Sequence, residues 1–291
     1  MLKRRNDTFT ALLFIAPLAI VYLWLFAYPA LQLVFNSFTN APLVGTGSWV
    51  GLDNYLRLPS DRVFRTALAN TGYFVLLTVI PGTLIALGLA LIVNRLNGFV
   101  KAIVLGILFL PYILPISVVY VIWQWTFDLQ FGVAQNILEP LFGNRVAVFR
   151  RVDTFMPVVA IITIWATSGF SILLFLAGLK NIPSEVYEAA QLDGSTGWHL
   201  FRKITWPLVW PVTALCMMLQ LIMQLQVFDL IFLFSRGGRT NQTMVLVQYI
   251  YEQAFIHNKG GFASAITIAL FALVILVSVL QVQALKARSA R

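Results

Sequence analysis

Six long apolar stretches dominate the pattern of hydrophobic and polar positions along the chain. Each is long enough for a helix to cross a bilayer core, which takes about 20 apolar residues. None alternates strictly between apolar and polar positions, as a membrane β-strand would. The pattern therefore predicts an all-α, polytopic membrane protein with six transmembrane helices in a single domain, 1–291. The predicted spans cover about 11–35, 67–94, 102–127, 154–179, 204–230 and 261–285.

The composition agrees with a chain that faces lipid over most of its surface. Of the 291 residues, 59% are hydrophobic and only 11% are charged, whereas soluble domains carry about 25% charged residues. The formal net charge of +9 fits basic loops against anionic lipid headgroups, so membrane lipid rather than nucleic acid is predicted as a partner. The single cysteine, Cys216, excludes a disulfide within the chain. His199 and His257 lie in opposite loops, so no metal site is predicted.

The positions of lysine and arginine predict the orientation of the spans. A short loop with Arg95 and Lys101 falls on the same side as the basic residues Lys3, Arg4 and Arg5, and the positive-inside rule assigns that side to the cytoplasm. Both termini are therefore predicted to be cytoplasmic. The basic start also suits a cleavable signal peptide. Because its apolar segment is longer than usual and no A-x-A site closes it, a retained first helix is the preferred interpretation.

Prolines inside two predicted spans indicate bent helices. Pro81 and Gly82 lie near the middle of the second span, and Pro111 and Pro115 lie in the third. An interior proline removes a backbone donor and clashes with the preceding turn, so we expect both helices to kink. The region 111–115 either lines a wet cavity that satisfies the freed carbonyls or reflects only the high frequency of proline in membrane helices.

The loop 182–206, on the predicted cytoplasmic side, is too long and too polar to be a simple connector. Ser184 after Pro183 is predicted as an N-cap, and Glu185 complements the dipole of the first turn. Gly194 is predicted to end the helix in the left-handed conformation. The pattern predicts a short helix, a tight turn and a second amphipathic segment that runs into the fifth span. Two interpretations follow: a surface for a soluble partner, or an interfacial hairpin that only joins two spans.

This loop resembles the EAA loop of ABC-importer permeases, whose pattern is E-A-A-x-x-D-G-A followed by F-x-x-I-x-x-P. Ser195 stands where the family usually has alanine, which is a small-for-small change. The matching positions are Glu188, Ala189, Ala190, Asp193, Gly194, Phe201, Ile204, Pro207 and Pro211.

The resemblance extends over the whole chain, which is similar to the six-span, maltose-type sugar permeases. Arg239 follows the Gly237-Gly238 pair where that subfamily commonly has proline, which leaves the local loop shape and the substrate open. The positions that carry this wider resemblance are Phe109-Leu110-Pro111-Tyr112, Trp123-Gln124-Trp125, Asn136 and Ser235-Arg236-Gly237-Gly238.

The resemblance implies a type I ABC importer permease fold and a multi-pass location in the bacterial inner membrane. It implies one permease subunit of an ATP-driven importer for a sugar or sugar-like solute: an oligosaccharide, glycoside, polyol or glycerol-phosphate-like compound. The implied partners are a second homologous permease subunit, two ATPase subunits and a periplasmic solute-binding protein. ATP and Mg are expected on the ATPase subunits, with no cofactor in this chain. The implied ATPase-coupling residues are Glu188, Ala189, Ala190, Asp193 and Gly194.

A separate observation, independent of the resemblance, predicts that ATP is hydrolysed on another chain. A Walker A loop needs a lysine directly after glycine, and no lysine in this sequence follows a glycine. Neither G-x-S-x-G nor H-E-x-x-H occurs. The chain is therefore predicted not to be an enzyme, and no catalytic residue is assigned.

Polar side chains at helical spacing inside two spans are the candidates for a substrate path. Gln220 and Gln224 are one turn apart in the fifth span, and Thr167, Phe170 and Ser171 lie in the fourth. Amides, hydroxyls and an aromatic face suit a sugar. The same residue types also form hydrogen bonds between membrane helices, so both interpretations stay open, with Gln220 and Gln224 the preferred path residues.

An autonomous secondary transporter or channel is the alternative function. Such proteins place ionisable residues inside their spans to bind coupling ions or relay protons. The interiors of the six predicted spans contain none, so the binding-protein-dependent importer is preferred.

Overall fold

The computed structural model describes residues 2–235 and 242–289, and in these ranges the regular structure is helical apart from one bridge between Thr39 and Trp49. The predicted all-α class is confirmed. The α-helices are α1 (Leu2–Tyr22), α2 (Tyr28–Asn36), α3 (Asp53–Arg57), α4 (Arg62–Asn94), α5 (Gly98–Ile113), α6 (Ile116–Thr126), α7 (Gln135–Phe142), α8 (Val152–Lys180), α9 (Ser184–Leu192), α10 (Gly197–Leu200), α11 (Trp206–Leu225), α12 (Asp229–Phe234), α13 (Leu246–Tyr251) and α14 (Gly260–Ser289). Wider π-helical turns at Leu23–Ala27, Phe201–Thr205 and Glu252–Ile256 and a 3₁₀ turn at Leu58–Ser60 connect some of them.

Five helical segments within the described ranges are long and apolar enough to cross a membrane. They are Leu13–Asn36, Arg62–Asn94, Val152–Lys180, Gly197–Leu225 and Gly260–Ala284. The pair α5 and α6 passes the same test only together, because its two helices are bent by 100°. The total is six spans when this pair counts as one.

The third predicted span, 102–127, is therefore not one helix. The break falls at Leu114, which is extended with ψ at 136°, and Pro115, which precedes α6. A proline pushes the residue before it out of the helical region, which accounts for the position of the break. Pro111 instead lies inside α5, and α4 runs through Pro81 as a single helix of 33 residues.

The fifth predicted span, 204–230, differs from the observed helix at both ends. The continuous segment begins at Gly197 and ends at Leu225. Gln226 leaves the helical conformation, and Asp229 starts the separate helix α12 instead of lying at the end of the fifth span. A carboxylate in the first turn of α12 meets the partial positive charge of that helix end.

The described residues form two compact units, Met1–Arg62 with Tyr249–Ala272, and Val63–Gln248 with Leu273–Arg291. In the first unit, Gly261 lies so close to the carbonyl oxygen of Thr39 that no side chain fits there. Asn54 donates to the carbonyls of Ser37 and Thr39 at 2.9 and 2.8 Å, and Tyr249 donates to Asp61 at 2.9 Å. Side-chain hydrogen bonds thus hold the irregular segment after α2 in place.

The second unit contains two apolar clusters that share helices α4 and α8. One joins α4, α6, α8 and α12 around Phe74, Phe155 and Ile231. The other joins α4, α8 and α11 and includes the buried, free Cys216. Helix α8 belongs to both clusters, and it packs on α6 and α12 near one end and on α11 near the other.

Candidate functional site

The predicted coupling loop folds as a short helix and a tight turn between α8 and α11. Helix α9 begins at Ser184, with Glu185 in its first turn as expected. The predicted N-cap is wrong: Pro183 holds the extended cap position, and no side chain caps the helix. Because Pro183 fixes the entry geometry, Ser184 becomes the first helical residue instead.

Gly194 ends this helix in the left-handed conformation, with φ at +80°, which confirms the prediction for it. The amide of Ser195 donates to the carbonyl of Ala190 at 2.9 Å, and the amide of Gly194 donates to Gln191 at 3.0 Å. These are the two backbone hydrogen bonds of a Schellman motif. The turn therefore holds its shape through its own backbone and leaves the side chain of Asp193 on the surface.

Four of the five predicted coupling residues, Glu188, Ala189, Asp193 and Gly194, are exposed. Ala190 is buried, with 7% of its surface accessible, and so anchors α9 against the rest of the unit. Two large apolar side chains beside these residues are also exposed: 90% of the surface of Leu192 and 71% of the surface of Trp198 is accessible. Exposed apolar side chains next to a rigid turn are typical of a surface that another protein covers.

The second half of the loop is continuous with a membrane span. Helix α10 passes through the π-helical turn Phe201–Thr205 into α11, so the segment Gly197–Leu225 is one helical rod. A row of rings, Trp198, Phe201, Trp206 and Trp210, runs along it with centroids 5.1 to 6.2 Å apart. A force on the turn would therefore reach α11 through covalent and aromatic contacts.

Two of the predicted path residues meet between α8 and α11. Gln220 donates from Nε2 to Oγ of Ser171 at 2.9 Å, and both side chains are buried. The Cβ of any side chain at Gly82 would lie 3.1 Å from Oε1 of Gln220, so α4 also approaches this point closely. In this conformation the contact has the geometry of an interhelical hydrogen bond, the second of the two interpretations.

The other predicted path residues lie in different surroundings. Gln224 is buried one turn after Gln220 on α11. Thr167 donates back to the carbonyl of Thr163 at 2.8 Å, which uses its hydroxyl within α8. Phe170 stacks on Tyr112 of α5, with centroids 5.5 Å apart and planes 18° apart. The five residues therefore do not converge on one point.

The sequence prediction overlooked a cavity of about 510 Å³ at the other end of α8, lined by aromatic rings, amides and arginines of the segment 124–155. The Trp123-Gln124-Trp125 motif was its signal in the sequence, because the lining residues Phe234, Ser235 and Thr243 come from a distant part of the chain. Arg236-Gly237-Gly238, which carried part of the resemblance, and Arg239, which departs from it, lie outside the described residues. Among the described residues, no three His, Cys, Asp or Glu side chains form a metal-binding group.

Comparison with known proteins agrees with this architecture. Residues 82–290 match the family described as binding-protein-dependent transport system inner membrane component. The chain is 32% identical to the sulfoquinovosyl glycerol transport system permease protein SmoG of Agrobacterium fabrum, covering 92% of this chain and 87% of SmoG. It is 32% identical to the arabinooligosaccharides transport system permease protein AraP of Bacillus subtilis, covering 93% of this chain and 87% of AraP.

The fold is also found among solved structures. A chain of a bacterial alginate ABC transporter, crystallised in complex with an alginate pentasaccharide-bound periplasmic protein, superposes with a TM-score of 0.86. The match covers 97% of this chain and 95% of that chain at 23% sequence identity. At this identity the likeness concerns the arrangement of helices.

Proposed function

Because the chain belongs to the binding-protein-dependent transport system inner membrane components, we propose that it carries a saccharide across the inner membrane. As a member of this family it is a multi-pass membrane permease of an ABC importer and a non-catalytic transport component. The saccharide assignment rests on relatives named for sulfoquinovosyl glycerol, arabinooligosaccharides and trehalose/maltose. We assign this chain an oligosaccharide or glycoside on that basis.

The observation that carries the mechanism is the exposed turn after α9. Glu188, Ala189, Asp193 and Gly194 lie at the surface, while Ala190 anchors the helix. Residues 181–183 link α9 to α8, and α10 continues into α11. We assign this turn as the contact for a separate ATPase subunit, in which closure of the ATPase pair moves α8 and α11. The partner shifts the conformational equilibrium only through different affinities for the two states.

The assembly proposed around this chain has a second permease subunit, two ATPase subunits that hold ATP and Mg, and a periplasmic solute-binding protein. The alginate transporter shows the same fold in a complex with a periplasmic protein, which supports this arrangement. With the ATPase contact on the cytoplasmic side, the even number of six spans puts both termini in the cytoplasm as well.

The substrate path is proposed along α8 and α11 at Gln220, Gln224, Thr167, Phe170 and Ser171. The buried bond from Gln220 to Ser171 joins these two helices across the middle of the bundle. A rearrangement of α8 against α11 would free an amide and a hydroxyl, which are groups that bind sugar hydroxyls. We therefore propose that the substrate passes between α8 and α11 in another conformation, in which the two helices have separated.

Uptake by the reconstituted complex tests this function. The chain is co-expressed with the permease, ATPase and binding protein that are encoded beside its gene. The complex is then purified and placed in liposomes. Uptake is measured for a panel of arabinotriose, maltose and sulfoquinovosyl glycerol. We expect uptake of at least one of these saccharides that needs both ATP and the binding protein. Accumulation by liposomes that hold this chain alone would contradict the proposal and indicate an autonomous transporter.

A further inference from the structure

The segment between α6 and α8 forms a rigid wall at the end of α8 that is opposite to the coupling turn. Helix α8 has 29 residues and so spans about 43 Å, which places this wall on the outer side when the turn is cytoplasmic. Gln135, only 1% exposed, donates to the carbonyls of Phe127 and Val146, both at 3.1 Å, and accepts from the amide of Val146 at 3.0 Å. One buried amide thus joins both ends of the segment.

Further side-chain bonds hold the segment in shape. Arg145 donates to the carbonyls of Leu129 and Gln130 at 2.6 and 2.7 Å. Asp128 accepts from the amide of Gln130 at 2.8 Å, and Thr154 donates to the carbonyl of Val148 at 2.7 Å. A segment with these bonds is preorganised, and preorganisation reduces the entropy lost when a ligand binds.

This wall encloses the cavity of about 510 Å³, a volume within the range of small-molecule sites. Phenylalanine rings form its apolar part: Phe149 stacks on Phe234 with centroids 4.2 Å apart and meets Phe127 edge to face at 5.5 Å. The polar part of its lining includes Gln124, Gln130, Arg150, Ser235 and Thr243. Ring faces beside amide, hydroxyl and guanidinium groups are the combination that a pyranose needs, with its C–H face on a ring and its hydroxyls bonded.

One guanidinium that lines this cavity has no carboxylate partner among the described residues. Arg151 pairs with Asp153 at 2.7 Å, whereas the neighbouring Arg150, which lines the cavity, forms no ion pair within the described ranges. A guanidinium without a carboxylate partner can donate to a ligand oxygen, and such charge-assisted hydrogen bonds are stronger than neutral ones.

We propose that this cavity is a saccharide-binding site at the outer entrance, in which one pyranose unit packs on Phe149 and bonds to Arg150 and Gln124. It is distinct from the path residues on α8 and α11, and it rests on the proposed function because it presupposes a saccharide as the solute. The site would hold the solute before it passes between the helices.

Protection of an introduced cysteine tests the site in the full complex in lipid nanodiscs. The background is Cys216→Ala, which removes the buried native thiol. Ser235→Cys places a thiol on the cavity wall, and Asn136→Cys places one on the exposed surface of α7 as the matched control. The probe is the panel saccharide that the wild-type complex takes up. We expect it to slow maleimide labelling of Ser235→Cys without binding protein present, and to leave Asn136→Cys unchanged.

Arg150→Gln, added to the Ser235→Cys variant, gives a second measurement on the same cavity. Hydrogen bonds to a charged group contribute about 1.5–3 kcal/mol, so its loss should raise the half-protecting saccharide concentration roughly tenfold or more. The Arg150 side chain is exposed, so the fold should be kept, as gel filtration will verify. Normal uptake with no protection of Ser235→Cys would overturn the site. Protection only by ligand-free binding protein would also overturn it and indicate a docking surface. Absence of uptake of every panel saccharide would instead reject the proposed function.

Discussion

A single backbone conformation, that of Gly194, decides the shape of the coupling turn. Its φ of +80° is costly for residues with a side chain, and no atom lies within 4 Å of where a Cβ would be. Gly194→Val should therefore strain the turn by about 1–3 kcal/mol, whereas Gly194→Asn should be tolerated because asparagine enters this region readily. We expect the valine variant to lose ATPase co-purification and uptake and the asparagine variant to keep both.

Gly106→Val is the control for that experiment. Gly106 lies in α5 with no neighbouring atom within 4 Å and with an ordinary helical conformation. Co-purification of the ATPase should survive this change. Equal loss in the two valine variants would show that valine acts through general instability instead of through the turn.

The bond between Gln220 and Ser171 is a second feature at the scale of single residues. Ser171→Ala leaves the buried Nε2 of Gln220 without its acceptor, which should cost about 1–3 kcal/mol. We expect a lower midpoint of thermal unfolding and, because the hydroxyl is proposed to bind the substrate, a raised KM for uptake. Adding Gln220→Leu should recover part of the loss, because the unpaired amide is then removed. An unchanged KM in Ser171→Ala together with a lower midpoint would show that the hydroxyl only bonds α8 to α11 and would contradict its place on the substrate path.

At the scale of elements, helices α5 and α8 pack closely against each other at Gly169. A Cβ on Gly169 would lie 2.8 Å from the carbonyl oxygen of Leu108 and 2.9 Å from Cα of Phe109. Both neighbours are backbone atoms, so the helices must separate to admit a methyl group. Gly169→Ala should destabilise the protein by about 1–3 kcal/mol, seen as a lower thermal midpoint.

Gly106→Ala is the matched change on the opposite helix. No atom lies near its Cβ position, and alanine favours a helix over glycine by roughly 0.5–1 kcal/mol. Its midpoint should therefore stay constant or rise. If the thermal midpoint falls equally in Gly169→Ala and Gly106→Ala, the destabilisation does not come from the close contact at Gly169.

At the scale of the whole molecule, much of the apolar surface is exposed and the chain depends on lipid and partners. The window that marks Leu13–Asn36 as a candidate span has no buried residue within this chain. The coupling turn likewise presents Leu192 and Trp198 to its surroundings. Glu188→Lys should therefore leave the thermal midpoint of the isolated chain unchanged, because the side chain is exposed, while it lowers ATPase co-purification and uptake at least tenfold.

Glu185→Lys, in the same helix but outside the proposed contact, provides the comparison. It removes a favourable charge from the first turn of α9, which costs up to about 1 kcal/mol. We expect a small fall in stability with uptake largely kept. If Glu188→Lys and Glu185→Lys lower uptake equally, the net charge of α9 matters and not the position of Glu188.

The sequence by itself determined the all-α class, the approximate positions of the apolar spans and the left-handed turn at Gly194. These features depend on hydropathy over about 20 residues and on the steric freedom of one glycine, which are local properties. Local signals also misled at Ser184, where Pro183 took the cap position.

Only the tertiary structure decided that the bend between α5 and α6 reaches 100°, that α11 ends at Leu225 and that Gln220 pairs with Ser171. The partners in that pair are 49 residues apart, and the outer cavity combines residues of the segment 124–155 with Phe234, Ser235 and Thr243. Such contacts arise from helices packing side by side, so they depend on positions far apart in the chain that no local pattern relates to one another.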